Sequence, residues 1–165
     1  AEGSGANPVM AKPFGLVFEA LDNLKPNEVY ICSGSSPTYA LWGGLMSVRA
    51  QHLGAAGTVV DGYARDTSKI LRLNYPCFSY GSYAQDQGPR GKVMDYRVPI
   101  RVGDALVRPG DIIFGDIDGV CVIPCEAEEE AFTAALEKAR GEQVVKQAIE
   151  AGMSTVQVFK TYGIM

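Results

Sequence analysis

The stretch Gly54–Asp66, which reads GAAGTVVDGYARD, decides the fold and holds the most informative residues of the chain. Its glycine-led turn runs into Thr58-Val59-Val60, a short and largely β-branched run that predicts a buried strand. This strand is followed by Asp61-Gly62 and then by Arg65-Asp66. Sheets of α/β proteins place their ligand sites at the carboxyl ends of strands. The stretch therefore predicts an α/β domain with a polar site directly after this strand.

Helix and strand patterns alternate on both sides of this stretch. Apolar residues at helical spacing predict a helix over 14–24, and a strand pattern follows over 28–32. A small-residue loop over 33–37 and a glycine-led helix over 45–53 come next. After the stretch, a short helix is predicted over 66–73, with Asp66 as its N-terminal cap. Alternation of this kind indicates α/β layering.

The chain changes character after Tyr75. Short strand patterns separated by turns predict a β-rich half, and they cover 76–80, 93–102, 105–107, 111–114 and 119–123. Apolar residues at helical spacing then predict a long amphipathic helix from Cys125 to Ile149 and a short final helix over 155–162. We therefore expect an N-terminal loop over 1–12 and a single domain over 13–165.

Composition and charge narrow the possible classes of protein. The 165 residues are 47% hydrophobic and 21% charged, which is typical of a globular domain. The net charge of −4 and the absence of a basic cluster argue against direct nucleic-acid binding. No apolar run approaches the roughly 18 residues of a membrane span, and no signal-peptide pattern opens the chain. The four cysteines form no CxxC motif, and Cys32 and Cys121 lie in apolar runs. We therefore expect a cytoplasmic protein with buried, reduced thiols and no membrane contact.

Two short motifs carry residue types that chemistry needs. Arg65 offers a planar fork of donors suited to a carboxylate or a keto oxygen, and Asp66 offers oxygen ligands suited to Mg²⁺ or Mn²⁺. The alternative is a surface Arg-Asp pair that caps a helix. The run Gly43-Gly44-Leu45-Met46 leads into a helix, whose first backbone N–H groups form an anion site. A plain loop-to-helix junction is the alternative there.

Other polar residues lie near strand ends and in one loop. Asp61, Asp116 and Asp118 could supply further carboxylates, but turn formation is the favoured interpretation of Asp116 and Asp118. The segment 85–92 is predicted to be a solvated connection, and closure over a site is the alternative.

Together these motifs resemble the RraA-like family, which includes the 4-hydroxy-4-methyl-2-oxoglutarate aldolases. The resemblance is carried in order by the stretches 43–46, 54–62, 65–66, 98–103, 107–111 and 118–124. It runs from about Leu24 to the C-terminus. Members of the family normally have a further N-terminal segment.

The resemblance implies a three-layer β/β/α swivelling-type fold, assembled as a homotrimer or homohexamer with active sites at subunit boundaries. It implies a divalent cation, Mg²⁺ or Mn²⁺, bound by Asp66, and the keto oxygen of pyruvate held by Arg65. Glu142, from the C-terminal helix of a neighbouring subunit, would contact the metal through water. The pyruvate carboxylate would be bound at the helix start formed by Gly43, Gly44, Leu45 and Met46.

The activity that the resemblance implies is that of a metal-dependent lyase, which releases pyruvate from a small 2-oxo acid by aldol cleavage or oxaloacetate decarboxylation. Members of the family carry an acidic residue where this chain has Gly44. A carboxylate there helps to remove the hydroxyl proton in aldol cleavage, whereas decarboxylation needs no such base. We therefore expect aldol cleavage to be the more affected reaction.

Two alternatives to this interpretation of the site remain. The first is a mechanism through a Schiff base on a lysine, but no lysine lies in the motifs around Arg65, which favours the metal route. The alternative function is that of a non-catalytic RraA-like regulator, which binds and inhibits a ribonuclease.

Overall fold

The computed structural model describes residues 7–34 and 38–164. The chain divides into two compact units, Ala1–Val122 and Ile123–Met165. The single domain expected over 13–165 stays a prediction. Within the described residues, no helix is long and apolar enough to cross a membrane.

The first unit mixes helices with short strands. Its helices are α1 (Val17–Asp22), α2 (Gly44–His52) and α3 (Thr67–Leu73). Its strands are β1 (Val29–Cys32), β2 (Ala40–Trp42), β3 (Gly57–Val60), β4 (Tyr63–Ala64), β5 (Cys77–Phe78), β6 (Ile100–Val102), β7 (Ala105–Val107), β8 (Ile112–Asp116) and β9 (Gly119–Ile123), the last of which ends one residue beyond the unit.

A three-stranded parallel sheet forms the centre of this unit, in the order β1-β3-β5. Every residue of β3 is buried, as its β-branched sequence predicts for a strand covered on both faces. Strands β2 and β4 form a separate parallel pair, β6 and β7 pair in antiparallel fashion, and β8 pairs with β9.

The core is built around Trp42, the last residue of β2, which is 1% exposed. Its ring lies 4.9 Å from that of Tyr30 and 6.3 Å from that of Tyr75, measured between centroids. Its indole N–H donates to the hydroxyl of Ser47 in α2 at 2.7 Å. Because a buried indole N–H needs a partner, this bond sets how the start of α2 sits beside the end of β2.

The second unit consists of a 3₁₀ turn, Cys125–Ala127, followed by α4 (Glu128–Glu150) and α5 (Thr155–Tyr162). Three glutamates occupy the first turn of α4, where the helix dipole favours negative charge. A capping box formed by Ser154 and Gln157 begins α5. Both helices confirm the predicted pattern, although α4 begins after the turn rather than at Cys125.

The structure departs from the sequence predictions in several segments. Strands β2 and β4 were not predicted, and only Ile100–Val102 of the strand expected over 93–102 is extended. Within the loop expected over 1–12, Pro8–Ala11 forms a 3₁₀ turn, and residues 1–6 lie outside the described part. The expected loop over 33–37 is described only at Ser33 and Gly34.

The cysteines only partly follow the sequence analysis. All four lie in the described part, and no disulfide joins them. Cys121 and Cys125 are exposed, so the expectation of buried thiols was wrong for these two, whereas Cys32 and Cys77 are half-buried. Cys121 is exposed because β8 and β9 form only a two-stranded sheet. Burial raises the pKa of the Cys32 thiol to about 12, and the nearby carboxylate of Asp61 adds to the rise.

An ion pair ties the segment before β6 to the start of β1. Arg97 donates from Nη1 and Nη2 to the two carboxylate oxygens of Glu28, at 2.9 and 2.8 Å, and from Nη2 to the backbone oxygen of Asn23. The bonds from Arg97 hold the pKa of Glu28 below its usual value of 4.5. A carboxyl with a lowered pKa stabilises the fold above its unfolded-state pKa, and this contribution disappears as the pH falls through the folded-state value.

Replacing Glu28 by Gln should therefore lower the free energy of unfolding by about 0.5–1 kcal/mol at neutral pH, since the pair is partly exposed. The difference between wild type and Glu28→Gln should shrink towards zero below about pH 3. Urea denaturation over a pH series measures both quantities. Asp104→Asn, in the exposed turn between β6 and β7, is the control, and a difference that stays constant with pH would contradict the assignment.

Candidate functional site

Strands β2 and β4 bring the two motifs of the sequence analysis together. They pair in parallel, with Ala40 opposite Tyr63 and Trp42 opposite Ala64. The backbone N–H of Arg65 donates to the carbonyl of Trp42 at 2.8 Å. Parallel strands end at the same edge of a sheet, so Gly43 and Arg65 begin adjacent loops there.

Asp66 makes the contact that joins the two motifs. Its Oδ2 atom accepts a hydrogen bond from the backbone N–H of Gly44, the first residue of α2, at 3.1 Å. Its backbone is left-handed, with φ of 59°, and its side chain makes no capping bond to α3. The prediction that Asp66 caps the helix over 66–73 was therefore wrong, because its carboxylate caps α2 instead.

The space beside Gly44 explains part of the departure from the family pattern. A Cβ atom at this position would lie 3.1 Å from Cβ of Asp66 and 3.2 Å from Cδ of Lys69. These distances are tighter than ordinary van der Waals contact. The glycine thus allows the helix start to approach Asp66 closely. The aliphatic part of Lys69 lies beside the position that the Cβ atom of any other residue would take.

Arg65 lies between two carboxylates. Its Nη1 atom is 3.8 Å from Oδ2 of Asp66, and its Nη2 atom donates to Oδ2 of Asp86 at 3.3 Å. The side chains of Arg65, Asp66 and Asp86 are 40%, 29% and 45% exposed. A small ligand can therefore reach all three groups without any rearrangement of the core.

Sequence reasoning did not identify Asp86, which lies in the segment predicted to be a solvated connection. The structure holds this segment along β2 and β4 by backbone hydrogen bonds, from Tyr83 N to the carbonyl of Ala64 at 2.9 Å and from Ala40 N to the carbonyl of Gln85 at 2.8 Å. Gln85, at the start of the segment 85–92, is thus attached to the edge of β2, and closure of the segment over the site stays a prediction. The polar composition of the segment was the only signal.

Lys69 is a second residue that sequence reasoning missed. It lies one turn after Asp66 in α3, and its aliphatic chain passes close to Gly44. Lys69 lies outside the motifs around Arg65, but its side chain reaches the space beside Gly44. Spacing on a helix gave the signal, since residues three apart share a face.

The start of α2 exposes backbone donors. The first helical hydrogen bond runs from the N–H of Ser47 to the carbonyl of Gly43, at 3.1 Å. The N–H groups of Leu45 and Met46 precede it and therefore have no acceptor within the helix. The Leu45 side chain is 84% exposed, whereas Met46 is half-buried and packs against the core.

The other candidate acids lie apart from this cluster or are engaged elsewhere. The hydroxyl of Tyr80 donates to Oδ1 of Asp61, and this bond raises the pKa of Tyr80. The backbone N–H of Asp118 donates to Oδ1 of Asp116 at 2.9 Å, which confirms the turn interpretation. Glu142 lies in α4 of the second unit, 3.9 Å from Nζ of Lys138, and its role across a subunit boundary stays a prediction.

Within the part of the chain that the structure describes, no group of three or more His, Cys, Asp or Glu side chains is arranged to hold a metal ion. The donors at the site are the carboxylates of Asp66 and Asp86, which flank Arg65. This donor set does not suit a zinc site, which takes several nitrogen or sulfur ligands. Carboxylate oxygens are ligands that Mg²⁺ takes in proteins, usually one or two together with several waters, and the metal stays a prediction.

A cavity of about 760 Å³ lies in the first unit, away from this cluster. It is lined by β1 and the segment before β6, and none of Gly43, Gly44, Arg65, Asp66 and Asp86 lines it. Of the charged residues that line it, Glu28 and Arg97 are engaged in holding these segments together. The predicted site residues lie instead in the open cluster around Arg65.

Comparisons with known proteins identify the family of the chain. A family model described as RraA-like, Aldolase/RraA, matches residues 6–122. The chain belongs to the RraA-like family. Sequence analysis placed the similarity from about Leu24 to the C-terminus, whereas the family model begins earlier and ends at Val122.

Relatives of the RraA-like family extend the comparison. The chain is 33% identical to a protein of Halalkalibacterium halodurans with the provisional name 4-hydroxy-4-methyl-2-oxoglutarate aldolase, over 87% of this chain and 68% of that protein. The structure of this chain resembles that of an uncharacterized protein from Pseudomonas syringae, with a TM-score of 0.85 and 29% identity. The match covers 92% of this chain and 71% of that one.

It also resembles Streptomyces coelicolor RraAS2, described as an unusual member of the RNase ES inhibitor RraA protein family. The TM-score is 0.73 and the identity 25%, over 79% of this chain and 67% of that one. The α/β class and the RraA-like fold expected from the sequence are thereby confirmed.

Two substitutions at Asp66 separate its structural contact from its charge. Asp66→Ala removes the acceptor for the Gly44 N–H and puts alanine in a left-handed conformation, so we expect the free energy of unfolding to fall by about 1–2 kcal/mol. Asp66→Asn keeps an oxygen acceptor and tolerates this conformation, so the loss should stay below about 0.5 kcal/mol. Urea denaturation at neutral pH measures both, and equal losses would contradict this assignment, since they would trace the effect to the negative charge that both variants remove.

Proposed function

We propose that the chain is a divalent-metal-dependent lyase, which releases pyruvate from a small 2-oxo acid by aldol cleavage or by oxaloacetate decarboxylation. The observation that carries the proposal is the meeting of Arg65 and Asp66 with the start of α2. A cationic fork, a carboxylate and exposed backbone donors there can bind the three parts of such a site: keto oxygen, metal and substrate carboxylate.

Binding of a 2-oxo acid follows from the donors at the site. The N–H groups of Leu45 and Met46, with the loop at Gly43 and Gly44 before them, suit the substrate carboxylate at the positive end of the helix dipole. The guanidinium of Arg65 donates to the keto oxygen. The carboxylate and the neighbouring keto oxygen of one small molecule would thus be bound by the loops that follow β2 and β4.

The metal would be Mg²⁺ or Mn²⁺, held by Asp66. One oxygen of its carboxylate accepts from Gly44, and a carboxylate offers about four acceptor positions in all, so capacity for a cation is left. A bound divalent cation supplies Lewis-acid stabilisation of negative charge on the keto oxygen. We keep Glu142 of a neighbouring subunit as the proposed contact to this metal through water.

Arg65 would stabilise the charge that accumulates during the reaction. Aldol cleavage and decarboxylation both pass through the enolate of pyruvate, in which the keto oxygen becomes negative. Hydrogen-bond donors directed at such an oxygen typically contribute about 10²–10³ in kcat each. The carboxylate of Asp66 lies 3.8 Å from Nη1 and helps to keep the guanidinium oriented.

A coupled assay for pyruvate, with oxaloacetate and Mg²⁺ or Mn²⁺, tests the function. Turnover should disappear with a chelator and return with added metal. Arg65→Gln should lower kcat by about 10²-fold or more, because it removes a charged donor from the enolate oxygen. Asp66→Asn, which keeps the fold, should lose the metal-dependent turnover.

Arg49→Gln and Asp22→Asn are matched controls, since this exposed Arg-Asp pair, 2.7 Å between Nε and Oδ1, belongs to α2 and α1 and not to the site. Both should retain wild-type turnover. Borohydride reduction in the presence of oxaloacetate examines the Schiff-base route, and adduct formation at Lys69 with full turnover in chelator would replace the metal mechanism. A folded protein without turnover of any 2-oxo acid would contradict the lyase proposal.

We also propose that the chain assembles as a homotrimer or homohexamer. Apolar side chains are exposed on the helices of the second unit, including Leu136, Val156 and Phe159, which are 56%, 63% and 58% exposed. Contiguous exposed apolar surface is typical of interfaces. Sedimentation equilibrium should give a molecular mass three or six times the 17.7 kDa of one chain. Phe159→Asp should reduce this mass. A monomer at micromolar concentration would contradict the assembly.

The second candidate function is that of a regulator that binds and inhibits a ribonuclease, in the cytoplasm. The likeness to RraAS2 favours it, together with the acidic net charge, which complements a basic protein segment. Retention of a ribonuclease by a folded protein that turns over no 2-oxo acid would support this function over the lyase.

A further inference from the structure

We propose that Asp86 is the proton acceptor for aldol cleavage in this chain, in place of the acidic residue that Gly44 replaces. The proposal rests on the lyase function above and goes further, because it assigns the base and predicts that both reactions remain open to this protein.

The position of Asp86 beside Arg65 suits a base. Its Oδ2 atom lies 3.3 Å from Nη2 of Arg65, the group proposed to bind the keto oxygen. In a 4-hydroxy-2-oxo acid the hydroxyl lies two carbons from the keto carbon. A substrate held on the guanidinium therefore places this hydroxyl within reach of Asp86, directly or through one water. The carboxylate is 45% exposed, so a substrate can reach it.

The segment around Asp86 holds the carboxylate in place. Its second oxygen, Oδ1, accepts from the backbone N–H of Gly88 at 3.4 Å, and its carbonyl accepts from Nη1 of Arg90 at 3.1 Å. A parallel bridge also joins Asp86 to Ala40 at the edge of β2. The carboxylate is thus fixed from its own loop and does not depend on Arg65 alone.

The other carboxylates near the site are less suited to the role. Asp66 binds the N–H of Gly44 and is the proposed metal ligand, and Asp61 accepts from the hydroxyl of Tyr80. Position 44 itself has little room, because its Cβ would meet Asp66 and Lys69. Asp86 remains as the carboxylate that contacts Arg65 without being needed for the helix start.

The proton balance of the reaction is closed with Asp86 in this role. The carboxylate takes the proton from the C4 hydroxyl, whose oxygen becomes the carbonyl of the leaving product as the C3–C4 bond breaks. The electron pair of this bond stays on C3 and forms the enolate of pyruvate. The protonated Asp86 then returns the proton to C3, which gives pyruvate and regenerates the carboxylate. Decarboxylation breaks the C3–C4 bond of oxaloacetate without any proton being removed; carbon dioxide leaves, and the enolate takes its proton at C3 from solvent.

The two reactions therefore give a selective test with Asp86→Asn. We expect kcat for cleavage of 4-hydroxy-4-methyl-2-oxoglutarate to fall by about 10²-fold or more, as for loss of a general base, with oxaloacetate decarboxylation changed less than about fivefold. Asp86→Glu, which keeps a carboxylate, should retain at least about a tenth of the cleavage rate.

Asp22→Asn is the control for loss of an exposed aspartate paired with an arginine, and it should change neither reaction. Thermal melting checks that Asp86→Asn is folded. An equal loss of both reactions would overturn the proposal, since it would mean that Asp86 only orients Arg65; unchanged cleavage would overturn it too. Wild type that decarboxylates oxaloacetate but cleaves no aldol would overturn the proposal and leave the lyase function intact, whereas turnover of neither substrate would overturn both.

Discussion

The hydrogen bond from the Gly44 N–H to Asp66 is the contact on which the site depends. It joins the start of α2 to the residue that follows β4 and Arg65, so that two loops from neighbouring strands form one surface. The left-handed backbone of Asp66 turns its carboxylate back towards α2 rather than onto α3. Such a conformation costs an L-residue about 1–2 kcal/mol. It persists because this hydrogen bond and the pairing of β2 with β4 hold the backbone in place.

The core places this contact rather than forming part of it. Trp42, the last residue of β2, is buried against Tyr30 and Tyr75. Its indole N–H donates to Ser47, and this bond fixes the first turn of α2 against the core. After Trp42, Gly43 and Gly44 are still buried, and Leu45 is the first exposed residue. The polar cluster is thus rigidly supported although its side chains are part-exposed, an arrangement that suits a site meant to exchange small ligands with solvent.

Much of the fold could be predicted because its patterns are local. The β-branched run of β3 and the apolar spacing of α4 and α5 identify those elements directly, and the motif order identified the family. Strand β2 was missed because its three residues lie directly before Gly43-Gly44 and carry no alternation. The contact of Asp86 with Arg65 spans 21 residues and depends on how a polar loop aligns with β2 and β4, which sequence periodicity does not encode.

The surroundings of Arg65 also bear on the thermodynamics of ligand binding. An arginine side chain has about 2 kcal/mol of rotamer entropy to lose when it is immobilised. Here Gly43 leaves room for its aliphatic part, since a Cβ there would lie 3.3 Å from Cγ, and carboxylates flank both ends of the fork. Most of that freedom is gone before a ligand arrives. Association with a small acid should thus carry a smaller entropic penalty than association with an arginine on an open surface.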